Sequence, residues 1–354
     1  MRATPSSGAW LTGLRHEGAA AAGGRGMSGE DPGGAIVQPP LPAFEVGIAR
    51  PDLGPWRAGN VGVPGFTSHP AREAGPHVLL LALMHGNEFT GATVLLRLLE
   101  AGLRPLRGRI TFGFANLAAF DTFDATNPTA SRFIDEDLNR LWDPAVLDGQ
   151  RQSAELTRAR EMRPVVETAD VVLDLHSMLW PSDPLILSGS TARSRALAQA
   201  IGSPALVVAD HGHAAGPRLI DYSRFTDPAG ESCAMLVEAG QHWERATVDM
   251  AASSVAGLLR HLCLAADHYA LPLASPPVVA RAAEVTAVIT AANSNFAFVR
   301  AFRGGEVIAR RNTLIALDGT TEIRTPHDDC LLVMPSLKPS RGHTAVRLAR
   351  FLEA

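Results

Sequence analysis

The sequence predicts an α/β protein with a mixed, mostly parallel sheet flanked by helices and a small C-terminal all-β domain. Two observations carry this prediction. Up to residue 271, continuous apolar runs such as HVLLLALM (77–84) alternate with helical patterns, as in parallel sheets that are covered on both faces. After that point the chain has only short strand-like runs, broken by Gly, Asn and Asp, which favours a separate β architecture.

Apolar periodicity predicts each element of the α/β part in turn. A short strand and a Pro/Gly turn are expected to open it at 44–56. Buried strands are predicted at 77–84, 108–116, 170–177, 204–210 and 232–240. Helices are predicted between and after them, at 89–102, 154–169, 192–202 and 247–265. Because strands alternate with helices, a parallel sheet is the favoured arrangement.

The C-terminal part begins after a predicted linker, PLASPP (272–277). The linker divides the chain into an α/β domain at 44–271 and a β domain at 272–354. Short strands are predicted within 285–291, 296–302, 306–319 and 330–336. A helix is expected, if anywhere, only in the last residues.

Composition restricts the class of function. The formal net charge of -4 and the absence of a basic stripe argue against nucleic acid or an anionic membrane as a partner. The longest tightly apolar stretch, Val78–Met84, is too short to span a membrane. The three cysteines are far apart and form no CxxC pair, which indicates a reducing, cytoplasmic location.

Residues 1–43 are predicted to be a disordered N-terminal extension. The segment is rich in Gly, Ala, Ser and Arg, and it has neither apolar periodicity nor the apolar core of a secretory signal. Met27 is an alternative start of the chain.

Polar residues follow three of the predicted strands at their carboxyl ends. His85 and Glu88 follow the first buried strand, while His176 and Glu238 lie near the ends of two later ones. Ligands bind at this edge of open α/β sheets. Two imidazoles and a carboxylate suit Zn²⁺, and three protein ligands leave a position open for water. We therefore predict that His85, Glu88 and His176 bind one zinc ion, although the first two alone are more typical of a turn or a helix start.

Two further acids are candidates for roles beside such a site. Glu238 is the candidate general base, because a lone acid after the apolar run AMLV is costly to bury without a function. Asp174 lies two residues before His176 on the same predicted strand. It either orients a ligand histidine through the free ring N–H or makes a simple structural hydrogen bond.

The segment SRFIDEDLNRLWDP (131–144) is dense in charge and lies between the first two ligands and the third. Arg132, Asn139 and Arg140 are candidates to bind a carboxylate, because a guanidinium grips that group with two hydrogen bonds. An exposed loop with salt bridges is the alternative interpretation. Zinc beside arginines suits a small anionic substrate.

The motifs HGNE, RFIDEDLNR, DLHS and VEAG, in this order over about residues 77–240, resemble the aspartoacylase / succinylglutamate desuccinylase family of the zinc carboxypeptidase superfamily. The resemblance implies a zinc carboxypeptidase-like fold, one zinc ion per chain, and cleavage of N-acyl amino acids to a carboxylic acid and a free amino acid. It also implies that Arg132 polarises the scissile carbonyl and stabilises the oxyanion. By the same resemblance, Asn139 and Arg140 hold the α-carboxylate, and Glu238 acts as general base and then as general acid.

The sequence departs from the family pattern at the substrate's side chain. In aspartoacylase an arginine about ten residues before the catalytic Glu grips the side-chain carboxylate, and here Pro228 occupies that position. Arg218 and Arg224 are candidate substitutes. A tyrosine of the family's C-terminal domain has no counterpart, because Tyr222 and Tyr269 both precede the β domain. Neither N-acetylaspartate nor N-succinylglutamate is therefore assumed to be the substrate.

Three more histidines need an interpretation. His211 and His213 in ADHGHAAG (209–216) could converge on one strand face as a second metal pair. A loop that lines the pocket is the preferred interpretation, because the zinc ligand set is already complete. His242 is expected at the surface or the pocket rim.

The sequence thus predicts a zinc-dependent amidohydrolase acting on linear amides, with a small anionic N-acyl amino acid as substrate. A metallocarboxypeptidase acting on short peptides is the alternative enzyme. A non-catalytic ligand-binding protein on the same scaffold is the alternative from another class. A homo-oligomer is compatible with the sequence.

Overall fold

A long mixed sheet runs through the protein in the computed structural model, which describes residues 44–213, 215–265 and 279–353. The predicted extension at 1–43 and the predicted linker at 272–277 lie outside the described residues. The proposed boundary between the α/β domain and the β domain therefore stays a prediction.

Fourteen strands are found in the described part of the chain. They are β1 (Phe66–Pro70), β2 (Glu73–Ala82), β3 (Arg107–Phe114), β4 (Val171–Met178), β5 (Leu185–Leu187), β6 (Leu206–Ala209), β7 (Cys233–Gln241), β8 (Arg281–Thr290), β9 (Ala297–Phe298), β10 (Val307–Ile308), β11 (Leu314–Asp318), β12 (Thr321–Arg324), β13 (Cys330–Val333) and β14 (Thr344–Phe351).

The α-helices of these residues cover both faces of the sheet. They are α1 (Thr90–Glu100), α2 (Leu117–Asp121), α3 (Pro144–Leu147), α4 (Ala154–Thr168), α5 (Ala192–Ile201), α6 (Ser223–Thr226) and α7 (Arg245–His261). Short 3₁₀ turns occur at Gly54–Trp56, Ala130–Arg132, Leu138–Arg140 and Leu219–Asp221. No helix in the described ranges is long and apolar enough to cross a membrane.

Strand order confirms the predicted fold class. Across the described residues the large sheet has eleven strands in the order β1-β3-β2-β4-β7-β5-β6-β8-β14-β13-β10, beside a smaller sheet in the order β12-β11-β9. Strands β3, β2, β4 and β7 are parallel, and β5 runs antiparallel to β7. The C-terminal strands continue the same sheet, because β8 pairs in parallel with β6 and β14 then pairs antiparallel with β8.

The sequence-based elements agree with the structure where strands are buried on both faces and differ elsewhere. Residues 44–50 contain no strand, so the strand expected at 44–56 is wrong. The last residues form β14 and not a helix, since their alternating apolar residues pack within the sheet. Strands β1 and β5 were not predicted, because β1 is a polar edge strand that ends in Pro70 and β5 has three residues.

Two apolar cores lie on opposite faces of the sheet. One packs α1 and α7 against the strands, and the other packs α4 and the 138–147 segment against the opposite face. Side chains alternate along a strand, so Asp174 and His176 continue the face of Val172, which belongs to the second core. Glu238 likewise continues the face of Leu236. The candidate site residues of β4 and β7 therefore share one face.

Candidate metal centre and active site

The tight loop after β2 explains the glycine in HGNE. Gly86 donates its N–H to the Arg132 carbonyl oxygen at 3.0 Å. A Cβ at this position would collide with the backbone at Ala119 and Phe120 and with the carbonyl oxygen of Ser131. Only glycine allows such an approach. The first pair of candidate ligands is thereby held directly against the segment that carries Arg132.

His85, Glu88 and His176 come together as a buried group that could hold a metal ion. One ligand atom from each lies within 4.8 Å of the others, and among the described residues no second such group is found. Glu88 Oε1 is 2.8 Å from His85 Nδ1, and Glu88 Oε2 is 3.0 Å from His176 Nδ1. The Ser177 N–H also donates to Glu88 Oε2 at 3.1 Å. Both histidines therefore direct Nδ1 toward the same carboxylate.

The second ring nitrogen of each histidine faces an aspartate. His176 Nε2 is 2.8 Å from Asp174 Oδ2, and His85 Nε2 is 3.0 Å from Asp137 Oδ1. For His176, a carboxylate at this position holds the N–H on Nε2 and leaves Nδ1 free to bind a metal. His85 Nε2 lies in addition 2.9 Å from Arg132 Nη2, which is a donor. The contact is the one expected of Asp174 as an orienting residue. Sequence reasoning missed Asp137, although it lies in the quoted DLNR motif.

Electrostatics favour an ionised carboxylate at the centre of the group. Burial opposes the charge of Glu88, but the imidazoles of His85 and His176 outweigh it and hold the pKa of Glu88 well below its usual range. Burial also opposes protonation of His176, yet Asp174 and Glu88 raise the pKa of His176 well above its usual value. Glu88 is therefore ionised at neutral pH, the form that binds a metal ion.

Glu238 faces this group from the neighbouring strand. It is opposite His176 in the register between β4 and β7. Its Oε2 atom is buried and has no hydrogen-bond partner among the described residues. Burial raises the pKa of Glu238 to about 8, and the nearby carboxylates of Glu88 and Asp174 act in the same direction, against His176 and Arg132. An acid held near neutral pKa in this way can both accept and release a proton.

Arg132 contacts the His–Glu–His group directly. Its Nη1 donates to Glu88 Oε1 at 3.0 Å, and its Nη2 donates to Asp137 Oδ2 at 3.2 Å. Burial opposes the charge, but Asp137 and Glu88 outweigh it and raise the pKa of Arg132. The side chain is still 36% exposed, so its charge remains accessible to a ligand.

Asn139 and Arg140 lie beside Asp137 in the same segment. Asn139 is buried, and its Oδ1 accepts the Leu219 N–H at 2.8 Å. Arg140 Nη1 donates to the Asn139 carbonyl oxygen at 2.6 Å, and Nη2 is 3.8 Å from Asp137 Oδ2. Asn139 and the Arg140 side chain are largely enclosed and do not fit the exposed-loop alternative, whereas Arg132 is partly exposed and forms salt bridges.

A residue that sequence reasoning missed holds this segment in place. Glu155 in the first turn of α4 is fully buried and accepts the backbone N–H groups of Ile134, Asp135 and Glu136 at 2.7 to 3.2 Å. The Asn116 amide also donates to Glu155, at 3.0 Å. No motif marks a contact between a helix start and a loop about twenty residues earlier, so only the three-dimensional structure reveals it.

The candidate substitutes for the arginine missing at Pro228 have different surroundings. Arg224 donates to the Ala169 carbonyl oxygen, just before β4, and so lies at the opposite end of that strand from His176. Arg218 is buried and bonded to Asp210 and Asp221.

The contacts of Tyr222 also lie away from the His–Glu–His group. The Tyr222 hydroxyl donates to Glu167 on α4 at 2.7 Å, in a surface cavity of about 900 Å³ that Pro228 and Arg224 also line. Tyr269 lies outside the described residues. Neither Arg224 nor Tyr222 is therefore near the candidate active site.

His211 and His213 each have a separate partner in the protein. His211 is largely exposed and its Nε2 is 2.9 Å from Glu284, while His213 Nδ1 accepts the Ala215 N–H at 3.1 Å. His242 is buried and not at the surface, and its Nδ1 is 2.7 Å from the Ser177 hydroxyl oxygen.

The fold and the buried His–Glu–His group together define a class, an α/β protein with a buried site that could hold a metal ion. Sequence comparison identifies the family within that class. The family model of the succinylglutamate desuccinylase/aspartoacylase catalytic domain matches residues 74–264, more than half of the chain. The chain therefore belongs to this family of deacylating hydrolases.

Solved structures share the fold at low sequence identity. The succinylglutamate desuccinylase of Vibrio cholerae is 19% identical with a TM-score of 0.61, over 81% of this chain and 85% of that one. The corresponding enzyme of Vibrio parahaemolyticus is 17% identical with a TM-score of 0.60, over 82% and 87%. The product-bound ectoine utilization protein EutE (DoeB) of Ruegeria pomeroyi is 16% identical with a TM-score of 0.53, over 80% and 87%. A search of the curated proteins finds no significant match.

Proposed function

We propose that this protein is a zinc-dependent hydrolase that cleaves the amide bond of a small, anionic N-acyl amino acid. The observation that carries the proposal is the convergence of His85, Glu88 and His176, with one ligand atom from each within 4.8 Å of the others. Two imidazole nitrogens and a carboxylate oxygen are a donor set that zinc accepts, with a position left open. When bound, zinc polarises a carbonyl oxygen and lowers the pKa of a water toward about 7.

Glu238 is the proposed proton carrier. Its buried, unpartnered Oε2 and its pKa of about 8 support the role. The carboxylate takes a proton from the attacking water and delivers it to the amine nitrogen as the carbon–nitrogen bond breaks. Because the leaving amine needs this proton, the same residue serves as base and then as acid.

Arg132 is the proposed electrophilic partner of the scissile carbonyl. Its guanidinium is 3.0 Å from Glu88 and partly exposed, so it is close to the ligand group and still accessible. A fixed cation there stabilises the negative charge that develops on the carbonyl oxygen. Asn139 and Arg140, enclosed beside it, are proposed to bind the α-carboxylate of the amino acid, and Asp174 to orient His176.

The experiment is a substrate panel measured with and without metal. N-acetyl, N-formyl and N-succinyl amino acids and short dipeptides are incubated with the protein, and release of free amine is followed. We expect the N-acyl amino acids to be cleaved faster than the dipeptides. A chelator should abolish release, and added zinc should restore it.

The outcomes separate the proposal from its alternatives. A preference for dipeptides would indicate a metallocarboxypeptidase instead. Zinc binding without turnover of either class would indicate a ligand-binding protein. Turnover that resists the chelator would contradict zinc dependence itself. A cytoplasmic location is part of the proposal, supported by three unpaired cysteines, of which Cys263 is exposed.

A further inference from the structure

The turn that follows Glu238 contacts both segments that carry the candidate metal ligands. It is formed by Gly-Gln-His-Trp at residues 240–243, between the end of β7 and the start of α7. We call it the 240–243 turn. Its His242 is 4% exposed and its Trp243 is 1% exposed. The proposed mechanism gives these two buried side chains no role.

The first contact of the turn is with the loop that carries His85 and Glu88. Trp243 Nε1 donates to the Asn87 carbonyl oxygen at 2.9 Å. Asn87 lies between the two candidate ligands in the chain, and the Glu88 N–H donates to the His85 carbonyl oxygen at 3.1 Å across the same loop. Loss of the indole donor would leave the carbonyl oxygen of a buried residue without this partner, which is costly. The indole therefore fixes the backbone from which both ligands extend.

Aromatic packing and backbone conformation mark Trp243 as a constrained residue. Its ring centroid is 6.1 Å from that of Phe123, which in turn makes an edge-to-face contact at 4.9 Å with Phe89, the residue after Glu88. The φ angle of Trp243 is +62°, a region that residues other than glycine rarely adopt. Such strain persists only where the surroundings determine it, and it is concentrated at functional sites.

The second contact of the turn is with the end of β4. The His242 N–H donates to the Met178 carbonyl oxygen at 2.8 Å, and His242 Nδ1 is 2.7 Å from the Ser177 hydroxyl oxygen. Ser177 directly follows the candidate ligand His176, and its own N–H donates to Glu88 Oε2 at 3.1 Å. The His242 ring is thus one hydrogen bond away from a residue that contacts the central carboxylate.

The His242 ring is neutral at neutral pH. Burial lowers the pKa of His242 to about 4, with Arg132 and both candidate ligand histidines acting in the same direction and Glu88 acting against them. A neutral imidazole has one N–H and one nitrogen that accepts. The contact with the Ser177 hydroxyl is therefore a hydrogen bond between neutral groups. An asparagine amide, which has both a donor and an acceptor, can reproduce it.

Strand pairing is irregular at the point where the turn begins. Directly after the pair of His176 with Glu238, β7 contains one residue more than β4 before the next pair. Gly240 lies within this bulge with a φ of +133°, a conformation that favours glycine. A bulge disrupts the ladder locally and redirects side chains. Contacts of the 240–243 turn therefore supply a fixation that the ladder does not.

We propose that His242 and Trp243 are positioning residues that hold Glu238 in a fixed geometry relative to the three candidate metal ligands. The inference rests on the proposed function, because it concerns the proposed proton carrier and the proposed zinc ligands. Glu238 is two residues before the turn, so contacts that fix the turn also fix the end of β7. Through Trp243 the turn holds the loop after β2, and through His242 it holds the end of β4.

Trp243→Phe tests the contact with the ligand loop. Phe keeps an aromatic ring but has no N–H. We expect the zinc dissociation constant to rise by about 10-fold and kcat at saturating zinc to fall by about 10-fold, the lower end of the range for residues that support metal ligands. KM should stay unchanged, because the indole acts through the Asn87 backbone. Competition with a chromophoric chelator and steady-state rates give these values.

Trp142→Phe is the matched control for this variant. Trp142 is also 1% exposed, but its Nε1 has no hydrogen-bond partner in the part of the chain that the structure describes. The control therefore loses indole packing without losing a hydrogen bond, and its zinc affinity and kcat should stay near those of the wild type. Equal values in the two variants would contradict a role for the Trp243 N–H.

His242 variants test the contact with β4. His242→Leu removes the hydrogen bond to Ser177 and should lower kcat by about 10-fold. His242→Asn keeps a donor and an acceptor and should restore most of the rate. Ser177→Ala added to His242→Leu should cost little more than either change alone, since both remove the same bond. Additive losses, or a rate for His242→Asn as low as for His242→Leu, would contradict the positioning role.

Hydrogen exchange separates this inference from the proposed function. Backbone exchange over residues 84–92 is measured by mass spectrometry in the full chain, with no substrate present. We expect faster exchange in Trp243→Phe than in the wild type and Trp142→Phe, because the ligand loop is held less firmly. If no amide is cleaved, the proposed function fails, while this difference still supports the positioning role. Equal exchange in the three proteins would overturn the inference, whatever the rates of turnover.

Discussion

The His–Glu–His group and the arginine cluster of Arg140, Arg218 and Arg347 are built in different ways. The first uses residues at the carboxyl ends of β2 and β4, which are adjacent and parallel, and each histidine has its own aspartate. The second, the arginine cluster, draws Arg140, Arg218 and Arg347 from three remote segments, and Asp210 pairs with Arg218 and Arg347. The candidate metal ligands thus lie near the ends of adjacent strands, while the arginine cluster depends on contacts between loops and β14.

The largest effect is expected from a substitution of the proposed proton carrier beside the His–Glu–His group. Glu238→Gln keeps the shape of the side chain but cannot carry the proton, so kcat should fall by about 10³-fold. Zinc content should stay unchanged, because Glu238 is not among the three candidate ligands. Steady-state rates and metal analysis of the purified variant check both statements. Glu231→Gln, in the exposed segment before β7, is the matched control. A rate near that of the wild type would exclude Glu238 as the proton carrier.

The next largest effect is expected from a substitution that removes the carboxylate of the arginine cluster. Asp210→Asn removes the carboxylate shared by Arg218 and Arg347 and leaves buried cations without it, which should cost about 3–5 kcal/mol of unfolding free energy. Asp183→Asn removes an exposed ion pair with Arg303 and should cost at most about 1 kcal/mol. Denaturant unfolding of the two variants measures the difference. Similar midpoints would show that Asp210 does not hold the cluster together.

A smaller effect is expected at Asp174, which contacts a candidate metal ligand but is not one itself. Asp174→Asn keeps a hydrogen-bond acceptor for His176 Nε2 but removes the charge, so zinc affinity should fall by about 10-fold. Competition with a chromophoric chelator measures the dissociation constant. Asp170→Asn, just before the same strand, provides the control. Wild-type affinity in Asp174→Asn would mean that Asp174 only makes a structural hydrogen bond.

The smallest effect concerns His213, whose pKa is lowered first by burial and then by Arg140, Arg347 and Arg218. The pKa of His213 is about 3 in the folded protein, below its usual 6.5. Between these values the unfolded chain binds the proton and the folded chain does not, so stability falls as the pH drops from about 6.5 toward 3. One such group contributes at most about 1.4 kcal/mol per pH unit, and partial exposure reduces this value.

His213→Asn tests this contribution. Asn can still accept the Ala215 N–H but does not titrate, so its free energy of unfolding should fall less steeply than that of the wild type below pH 6.5. Denaturant titrations at pH 7, 6 and 5 give the two slopes. Identical slopes would show that burial and the nearby arginines do not depress the pKa of His213.

The sequence predicted the residues at strand ends, but it did not predict those that act through contacts between remote segments. The buried strands β2, β4 and β7 were found because strands covered on both faces are continuous apolar runs, and their polar ends mark the site. Asp137, Glu155 and Arg347 were not found, because their roles arise from contacts across remote segments. Strand β14 was not recognised, since its partner β8 is more than fifty residues earlier in the chain. Local patterns contain no information on such pairing.

Glu155 has a consequence for how a substrate reaches the centre. Its carboxylate accepts three consecutive backbone N–H groups of the segment between Arg132 and Asp137. If that segment lifted away, the buried Glu155 carboxylate would keep only the Asn116 amide as a donor, which is costly. We therefore expect no hinged lid here. The part of this segment that is still partly exposed is the Arg132 side chain, and side-chain rotation is much faster than the microsecond-to-millisecond opening of loops.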